Sequence, residues 1–516
     1  MEGGMSFHKS FCATIASNFK SLRMLSLNEL DITKLPKCLR KMIHLRYLDL
    51  SGNPIKRLPN WIVKLQNLET LDLNYCQFLV ELPRDIKKLI NLRHLILANC
   101  DNLAWIPRGL GELTHVRTLN TFVLSENKSM LRDSAGLSEL GKLKDLRGVL
   151  KIKNLRCEQD MVSELNDDCA VLKEKRHLYS LALYWMHIER ENNDAEERDV
   201  MEALQPHSSL KELVVNGYPG ARFASWFHSL TNIVNLTLSD CDRCQHLPPL
   251  DHLPFLKSLD LNELRNLEHI SAEDMVKDFA SDETMMMSAA SPSTTFFPSL
   301  ESLYLRMCPN LKGWWRNETA SASASSFPCL SILSIYGCPN LSSMPLYPNL
   351  YELRLQKSSW KVLPSFFVPS YKLTNLEIRG VEDIEYVPEE GIGNLTLLQK
   401  LSIEDCPNLA SLPEGLCCLS SLQELKIWYC PKLGSLPEGM GNLKSLQLLR
   451  IWDCPNLASL PEGLRCLLSL KRLIIDGCPI LKQRCQKETG EDWSKIAHIP
   501  DISIDSELVQ WRLDPH

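Results

Sequence analysis

Aromatic residues are scarce in this chain, and no apolar run is long enough to cross a membrane. Aromatics make up 7% of the 516 residues, and no apolar stretch approaches the ~20 residues of a membrane helix. The formal net charge is only −6, which gives no long-range attraction to nucleic acid or anionic membrane. The N-terminal segment lacks a basic stretch followed by an apolar one, so no signal peptide is expected. These absences favour a cytoplasmic protein that binds neither nucleic acid nor membrane.

Motifs for catalysis and cofactor binding are also missing. Residues 136–143 match the start of a phosphate-binding loop, but Leu143 stands where that loop needs Ser or Thr. Half of a zinc site is present as Cys241, Cys244, His246 and His252. No second cysteine pair follows at a suitable spacing, and no Cys/His or Ser/His/Asp order predicts a nucleophile. We therefore expect no enzyme activity, no cofactor and no metal.

The sequence does contain a repeated pattern, L-x-x-L-x-L. In the C-terminal half its central leucines recur every 24 residues, at Leu401, Leu425, Leu449 and Leu473. This period lies within the range of leucine-rich repeats. Degenerate units are expected near Leu119, Leu150, Leu303, Leu333, Leu353 and Leu376.

Alternation within the unit predicts one short strand per repeat, with both leucines on one face. Leu-Pro pairs such as Leu412-Pro413 occupy the return segment, where proline removes no sheet hydrogen bond. We predict an α/β solenoid, a leucine-rich-repeat horseshoe of about 18 repeats, with parallel strands on its concave face. At ~4.8 Å per strand, that face is on the order of 80 Å long.

A fixed polar position lies three residues after the last apolar residue of each strand, and we call it the ladder position. It is asparagine at Asn53 and cysteine at Cys76, Cys100, Cys241, Cys308, Cys338, Cys406, Cys430, Cys454 and Cys478. A small thiol or amide there can bond the neighbouring turn. This position accounts for nearly half of the 19 cysteines without any disulfide and favours a reducing compartment.

Composition divides the chain into segments. We predict an N-terminal remnant at 1–20, repeats at 21–124, irregular repeats with an acidic insert at 125–210, repeats at 211–270, a low-complexity loop insert at 271–298, regular repeats at 299–480 and a C-terminal cap at 481–516. A second Ser/Ala-rich loop is expected at 319–326. The basic run from Lys142 to Arg156 and the acidic run from Glu189 to Glu202 are expected to be solvated faces.

The two ends of the chain differ in the residues available to cover the terminal repeats. Trp493, Ile496, Ile499, Ile502 and Ile504 are expected to cover the last repeat, as a terminal cap must. Residues 1–20 are too short for an equivalent N-terminal cap. We therefore expect the chain to have been cut from, or to have evolved from, something longer.

Solvent-facing strand positions provide the candidate binding residues. Trp428 and Trp452 occupy the same slot in successive repeats, so stacking places them about one strand spacing apart. The predicted cluster consists of Lys426, Trp428, Tyr429, Arg450, Trp452 and Arg472. Tryptophan and arginine dominate interface hot spots. The rings either contribute to a partner interface or merely pack on each other at the sheet edge.

Four stretches carry a family resemblance. They read LRYLDLSGN from Leu45, GLSELGKLKDLRGVLKIKNL from Gly136, DVMEALQPHSSLKELVVNGYPGARFASW from Asp199 and CQKETGEDWSKIAHIPDI from Cys485. The chain resembles the leucine-rich-repeat region of plant coiled-coil nucleotide-binding disease-resistance proteins. That resemblance implies recognition of a pathogen effector or a guarded host protein, and autoinhibitory contact with a nucleotide-binding module.

The nucleotide-binding module of that family is not represented here. The phosphate loop is incomplete, and Met186-His187 is followed by Ile188 where the family's switch motif needs Asp. The alternative functions are a substrate receptor or adaptor for a ubiquitin ligase, and an extracellular receptor. Residues 1–20 show no F-box-like segment, and cysteine at the ladder position argues against the extracellular reading.

Overall fold

The computed structural model describes residues 18–156, 171–186, 194–248, 250, 253–270, 297–314, 327–345, 347–367, 372–387 and 389–511. The chain forms two compact units, Met1–Asp242 and Arg243–His516. Residues 1–17, the Met186-His187-Ile188 motif beyond Met186, the loop insert up to 296 and the stretch 319–326 lie outside the described residues. The predicted segment boundaries stay predictions.

In the first unit, one parallel strand follows another along the chain. The strands are β1 Met24–Ser26, β2 Tyr47–Asp49, β3 Thr70–Asp72, β4 His94–Ile96, β5 Thr118–Leu119, β6 Thr121–Val123, β7 Arg147–Leu155, β8 His177–Trp185, β9 Glu212–Asn216 and β10 Asn235–Ser239. The return segments contain 3₁₀ helices at Lys37–Lys41, Asn60–Lys64, Ile86–Lys88, Leu110–Glu112, Lys128–Met130 and Ser225–Ser229, and α-helices at Leu137–Lys142 and Asp194–Ala203.

The second unit repeats this arrangement with strands of five residues. They are β11 Ser258–Asn262, β12 Ser302–Arg306, β13 Ile332–Tyr336, β14 Glu352–Gln356, β15 Asn375–Arg379, β16 Lys400–Glu404, β17 Glu424–Trp428, β18 Leu448–Trp452 and β19 Arg472–Asp476, followed by β20 Asp501–Ile504 and β21 Glu507–Trp511. The return segments contain 3₁₀ helices at Trp360–Phe366, Glu414–Cys418, Glu438–Asn442 and Glu462–Cys466, and α-helices at Glu389–Ile392, Pro479–Arg484 and Trp493–Ile496.

The leucine pattern explains why these strands form and stack. In β17, Leu425 and Ile427 are fully buried while Lys426 faces outward. Leu425 lies in register with Leu401 of β16 and Leu449 of β18, so the inward side chains form continuous apolar rows. The predicted solenoid, with one parallel strand per repeat, is confirmed.

Proline begins the return segments of the regular repeats. Pro413, Pro437 and Pro461 each precede a 3₁₀ helix, because proline's fixed φ suits the start of a helical turn and its missing N–H costs nothing there. The leucines before them are buried. Short 3₁₀ turns rise more steeply per residue than α-helices, so each return segment spans the repeat with few residues.

Each unit has a row of buried aromatic side chains in its core. In the second unit, Phe297, Trp314 and Phe327 lie with ring centroids 4.6–5.4 Å apart, and Tyr347 and Phe366 continue the row at 5.1 and 6.1 Å. These repeats adjoin the irregular spacings of the sequence. Large rings fill the core there in place of leucines.

Several of the residues predicted to cover the last repeat are buried, and the structure adds one feature that the sequence did not indicate. Ile496, Ile499 and Ile502 are fully buried. Strand β20 pairs in parallel with β19, and β21 then pairs with β20 antiparallel. This hairpin continues the sheet beyond the last leucine repeat.

Candidate protein-interaction surface

The strand face of the second unit is built from three outward positions per strand plus the turn residue that follows. In β17 the outward residues are Glu424, Lys426 and Trp428, and the turn residue is Tyr429. Tyr429 adopts a left-handed backbone, with φ of 51°, which turns the chain away from the sheet. Because successive strands are in register, each position forms a row across the unit.

Register brings the two predicted tryptophans together. Trp428 and Trp452 are direct neighbours in β17 and β18, and their rings stack with centroids 5.4 Å apart and an interplanar angle of 24°. They nevertheless remain 40% and 39% exposed. The geometry agrees with the sequence-based expectation, and the rings' role in binding stays a prediction. Stacking on each other and contacting a partner are compatible, since one edge of each ring stays in solvent.

The basic members of the predicted cluster differ in how they are engaged. The Lys426 ammonium lies 2.7 Å from the Glu424 carboxylate, and Arg472 forms an ion pair with Asp501. Arg450 lies in register between Lys426 and Ile474. Its Nε atom is buried and lacks a hydrogen-bond partner among the described residues. Two of the three cations are therefore neutralised within the chain.

A shallow depression of about 160 Å³ lies beside the tryptophan pair on the same face. Its charged lining residues are Glu352, Arg354, Glu377, Lys400, Glu424 and Lys426. Arg354 lies 2.5 Å from Glu352 and 3.9 Å from Glu377. Opposite charges thus alternate along this part of the strand face.

The ladder position is buried in both units, as predicted, but its bonding differs between them. The Asn53 amide donates to Leu27 and Leu50 carbonyls and accepts from Leu30 and Ile32 amides at 2.7–3.1 Å. Cys76 and Cys100 each donate to a carbonyl of the preceding repeat, as expected. Burial raises the pKa of the Cys100 thiol to about 12, so that thiol stays protonated at neutral pH.

In the second unit the ladder thiols bond within their own turn and also, as expected, to the neighbouring repeat, where the Cys478 thiol accepts from the Cys454 amide at 3.4 Å. Cys454 donates to the Trp452 carbonyl at 3.4 Å, whereas Cys338 lies 3.9 Å from the preceding repeat's Leu305 carbonyl. The five-residue strands extend one residue past the last inward position, so that carbonyl lies within the strand. All sixteen cysteines in the described residues are free thiols.

The residues resembling a phosphate loop form a different structure. Gly136 immediately precedes the helix Leu137–Lys142, and the buried carboxylate of Glu139 accepts hydrogen bonds from the amides of Gly109 and Gly111 at 2.7–2.9 Å. The segment thus caps the preceding repeat's 3₁₀ helix with its own carboxylate. The Glu139 carboxylate therefore already accepts from the Gly109 and Gly111 amides.

The half zinc site is not assembled in the described residues. Cys244 is buried and donates to the His246 carbonyl at 3.2 Å, and burial raises its thiol pKa to about 12. His252 lies outside the described residues. Over the part of the chain that the structure describes, no group of three or more His, Cys, Asp or Glu residues could hold a metal ion.

The two charge runs are partly structural rather than simply solvated. Arg156 is buried and donates to the Ser125 carbonyl, and Lys153 pairs with Asp101 at 3.2 Å. Glu202 accepts from the amide of Ser225 at 2.7 Å. The expectation of solvated faces is therefore wrong for these members. Sequence charge alone does not reveal a partner from another repeat.

Sequence reasoning missed a row of exposed arginines in the first unit. Arg93 and Arg117 directly precede β4 and β5, Arg147 begins β7, and their backbones are joined by hydrogen bonds of 2.7 and 2.8 Å. Burial, followed by the charges of these arginines, lowers the pKa of the neighbouring His94 below its ordinary value. The 24-residue spacing of the first two was a readable signal.

Four family models of leucine-rich repeats each match a part of the chain. "Leucine-rich repeat region" matches residues 316–512, and "R13L1/DRL21 LRRs" matches 137–264. "Plant disease resistance protein RPS2-like, leucine-rich repeats" matches 222–357, and "Leucine Rich repeats (2 copies)" matches 43–90. Within the described residues, no helix combines the length and apolar character needed to cross a membrane.

Solved structures with a similar chain path include a leucine-rich-repeat protein of Leptospira interrogans and the Arabidopsis receptor kinase HAESA. The first is 18% identical with a TM-score of 0.40, covering 95% of this chain and 97% of that one. The second is 16% identical with a TM-score of 0.44, covering 98% of this chain and 81% of that one.

Curated relatives are plant disease resistance proteins. Disease resistance protein RGA2 of Solanum bulbocastanum is 45% identical over 489 residues, covering 94% of this chain and 46% of the relative. Putative disease resistance protein RGA1 of the same species is 41% identical, covering 96% and 47%. The chain thus spans about half the length of these relatives. Taken with the repeat geometry, these matches show that the chain is a leucine-rich-repeat region related to those of plant disease resistance proteins.

Proposed function

We propose that the chain is a non-catalytic recognition region of a plant intracellular immune receptor. It binds a pathogen effector or a guarded host protein through the strand face of its second unit. The observation that carries this proposal is the stacked, half-exposed pair of Trp428 and Trp452 beside Tyr429 and Arg450. Tryptophan, tyrosine and arginine are the residue types enriched in interface hot spots.

Energetics supports a role beyond mutual packing. With about 40% of each ring exposed, roughly 100 Å² per tryptophan is still available for burial, which corresponds to about 2.5 kcal/mol per ring. The strands on both sides hold the rings in place, so a partner pays little entropy to order them. A prearranged aromatic pair is a suitable anchor for a protein surface.

We further propose that this region contacts a nucleotide-binding module in a full-length receptor and restrains it. The support is that the relatives matched along this chain are about twice its length. The compartment we propose is the cytosol. Buried ladder thiols that donate to backbone carbonyls suit a reducing environment.

The test is capture of partners from infected and uninfected plant tissue by the wild-type chain and by the double variant Trp428→Ala/Trp452→Ala. We expect the wild type to retain a protein from infected tissue, or a host protein, that the double variant loses. The matched control is Tyr75→Ala/Phe78→Ala, which removes two exposed rings, 57% and 51% exposed, from the first unit.

Two outcomes would contradict the proposal. Unchanged capture by the tryptophan variant would place the partner elsewhere. Recovery of ubiquitin-ligase subunits alone would favour the adaptor function instead.

A further inference from the structure

The tryptophan pair lies among four carboxylates, which the chain itself neutralises only in part. In the outward row at the strand ends, Trp428 and Trp452 are flanked by Glu404 and Asp476. In the adjoining row of turn residues, Tyr429 lies between Asp405 and Asp453. Backbone hydrogen bonds of 2.8–2.9 Å link each of these turn residues to the next repeat's strand end.

The four carboxylates are not equivalent. Glu404 accepts from the Ser402 hydroxyl at 2.7 Å and lies 3.8 Å from the Arg379 guanidinium. Asp476 accepts from the Ser506 amide at 2.7 Å. Asp405 and Asp453, by contrast, form no ion pair with any described residue. Two carboxylates without an ion pair among the described residues therefore lie in the row of turn residues next to the tryptophan row.

The cations near the tryptophan pair do not cancel the negative charge of these carboxylates. Of the three cations in the predicted cluster, Lys426 and Arg472 are matched by Glu424 and Asp501, which leaves Arg450 without an ion pair among the described residues. An anionic partner would meet one available cation, whereas a cationic partner would meet two available carboxylates and two aromatic faces. Ring faces attract cations through their quadrupole.

We propose that the partner segment seated on the tryptophan pair presents arginine or lysine side chains, which stack on the rings and are bridged by Asp405 and Asp453. This inference rests on the proposed function, because it describes the chemistry of the partner bound there. Arginine fits best, since its flat guanidinium stacks on aromatic rings while it donates to carboxylates.

The experiment uses the full chain and three fluorescein-labelled probe peptides of one sequence, Ser-Gly-X-Ser-X-Gly-Ser. X is arginine, its neutral isostere citrulline, or glutamate. Fluorescence anisotropy is measured at low and high salt. We expect the arginine peptide to bind at least about fivefold more tightly than either other peptide, with the preference falling as salt rises.

Variants locate the binding. Asp405→Asn/Asp453→Asn and Trp428→Ala/Trp452→Ala should each remove most of the arginine preference. Asparagine tolerates the left-handed backbone of Asp405 and Asp453, whose φ values are 53° and 51°. The control Asp31→Asn/Asp145→Asn removes two exposed charges from the first unit and should leave the preference unchanged.

Equal binding of the three peptides, preferred binding of glutamate, or an arginine preference that survives Asp405→Asn/Asp453→Asn overturns the inference. The capture of partners from plant tissue distinguishes a failure of this inference from a failure of the proposed function. A partner lost by the tryptophan variant but retained by the aspartate variant would leave the interface standing and refute its cationic chemistry.

Discussion

At the scale of single residues, the ladder position shows how many backbone groups one side chain can hydrogen-bond. Asn53 bonds five backbone groups, three as donor and two as acceptor, whereas the Cys100 thiol donates to one carbonyl at 3.0 Å. Spacing alone predicted that both positions are buried. Which backbone carbonyl accepts the hydrogen bond of the ladder side chain depends on strand length, and the sequence pattern does not define strand length to within one residue.

This difference predicts unequal costs of truncation. Asn53→Ala leaves the Leu30 and Ile32 amides and the Leu27 carbonyl without this hydrogen-bond partner, while the Leu50 carbonyl keeps the Cys76 thiol. We expect a loss of about 2–4 kcal/mol in local stability. Cys100→Ala removes one weak hydrogen bond and should cost about 1 kcal/mol. Hydrogen exchange of the β1–β4 amides in both variants measures the two values. Equal losses would show that the amide acts only by filling space.

At the scale of elements, the C-terminal cap is held by a buried ion pair that sequence reasoning did not find. Asp492 is fully buried and Lys495 is 9% exposed. Their side chains lie 2.9 Å apart and together bond both the amide and the carbonyl of Leu460, at 3.0 and 2.7 Å. Arg484 also donates to Asp492. The i,i+3 spacing was visible, but the contact with Leu460 depends on how the cap docks.

The ion pair makes cap stability depend on pH. Burial acts to raise the pKa of Asp492, but hydrogen bonds from Arg484, Lys495 and the Leu460 amide outweigh it, so the pKa lies below its ordinary value. A carboxyl with a depressed folded-state pKa stabilises above its unfolded value and loses that contribution as pH falls through the folded one. The wild-type cap should therefore weaken as the pH falls below about 4.

Asp492→Asn removes the charge but keeps the shape. We expect it to cost about 3–5 kcal/mol at neutral pH, because Arg484 and Lys495 both lose the carboxylate that they bond, and Lys495 keeps only its ion pair with the exposed Glu462. The variant's disadvantage should shrink as the solution is acidified. Amide exchange of the cap residues Trp493–Ile496 and of β20 at increasing urea concentration tests both statements when it is run at several pH values. A constant difference between wild type and variant from pH 7 to pH 3 would refute the assigned role of this carboxylate.

At the scale of the whole molecule, the fold was predictable because its information is local and repeated. Each L-x-x-L-x-L unit specifies its own strand, and even the degenerate units near Leu303, Leu333 and Leu353 form β12 to β14. The tryptophan pair followed from the same register. What escaped prediction lies where repeats contact each other irregularly, as in the Glu139 carboxylate on the glycine amides and the final antiparallel strand.

A repeat array of this kind should lose stability locally rather than as one body, since each repeat packs mainly on its neighbours. Leu425 is fully buried in β17, and Leu425→Ala should cost about 2–5 kcal/mol. Amide exchange should then accelerate most in β16, β17 and β18, less in β12, and not at all in β1 to β4. The matched control is Leu468→Ala, which removes a leucine that is 87% exposed and should change exchange little. Uniform acceleration across both units would mean that the chain unfolds as a single cooperative body, and the nearest-neighbour picture of its stability would then be wrong.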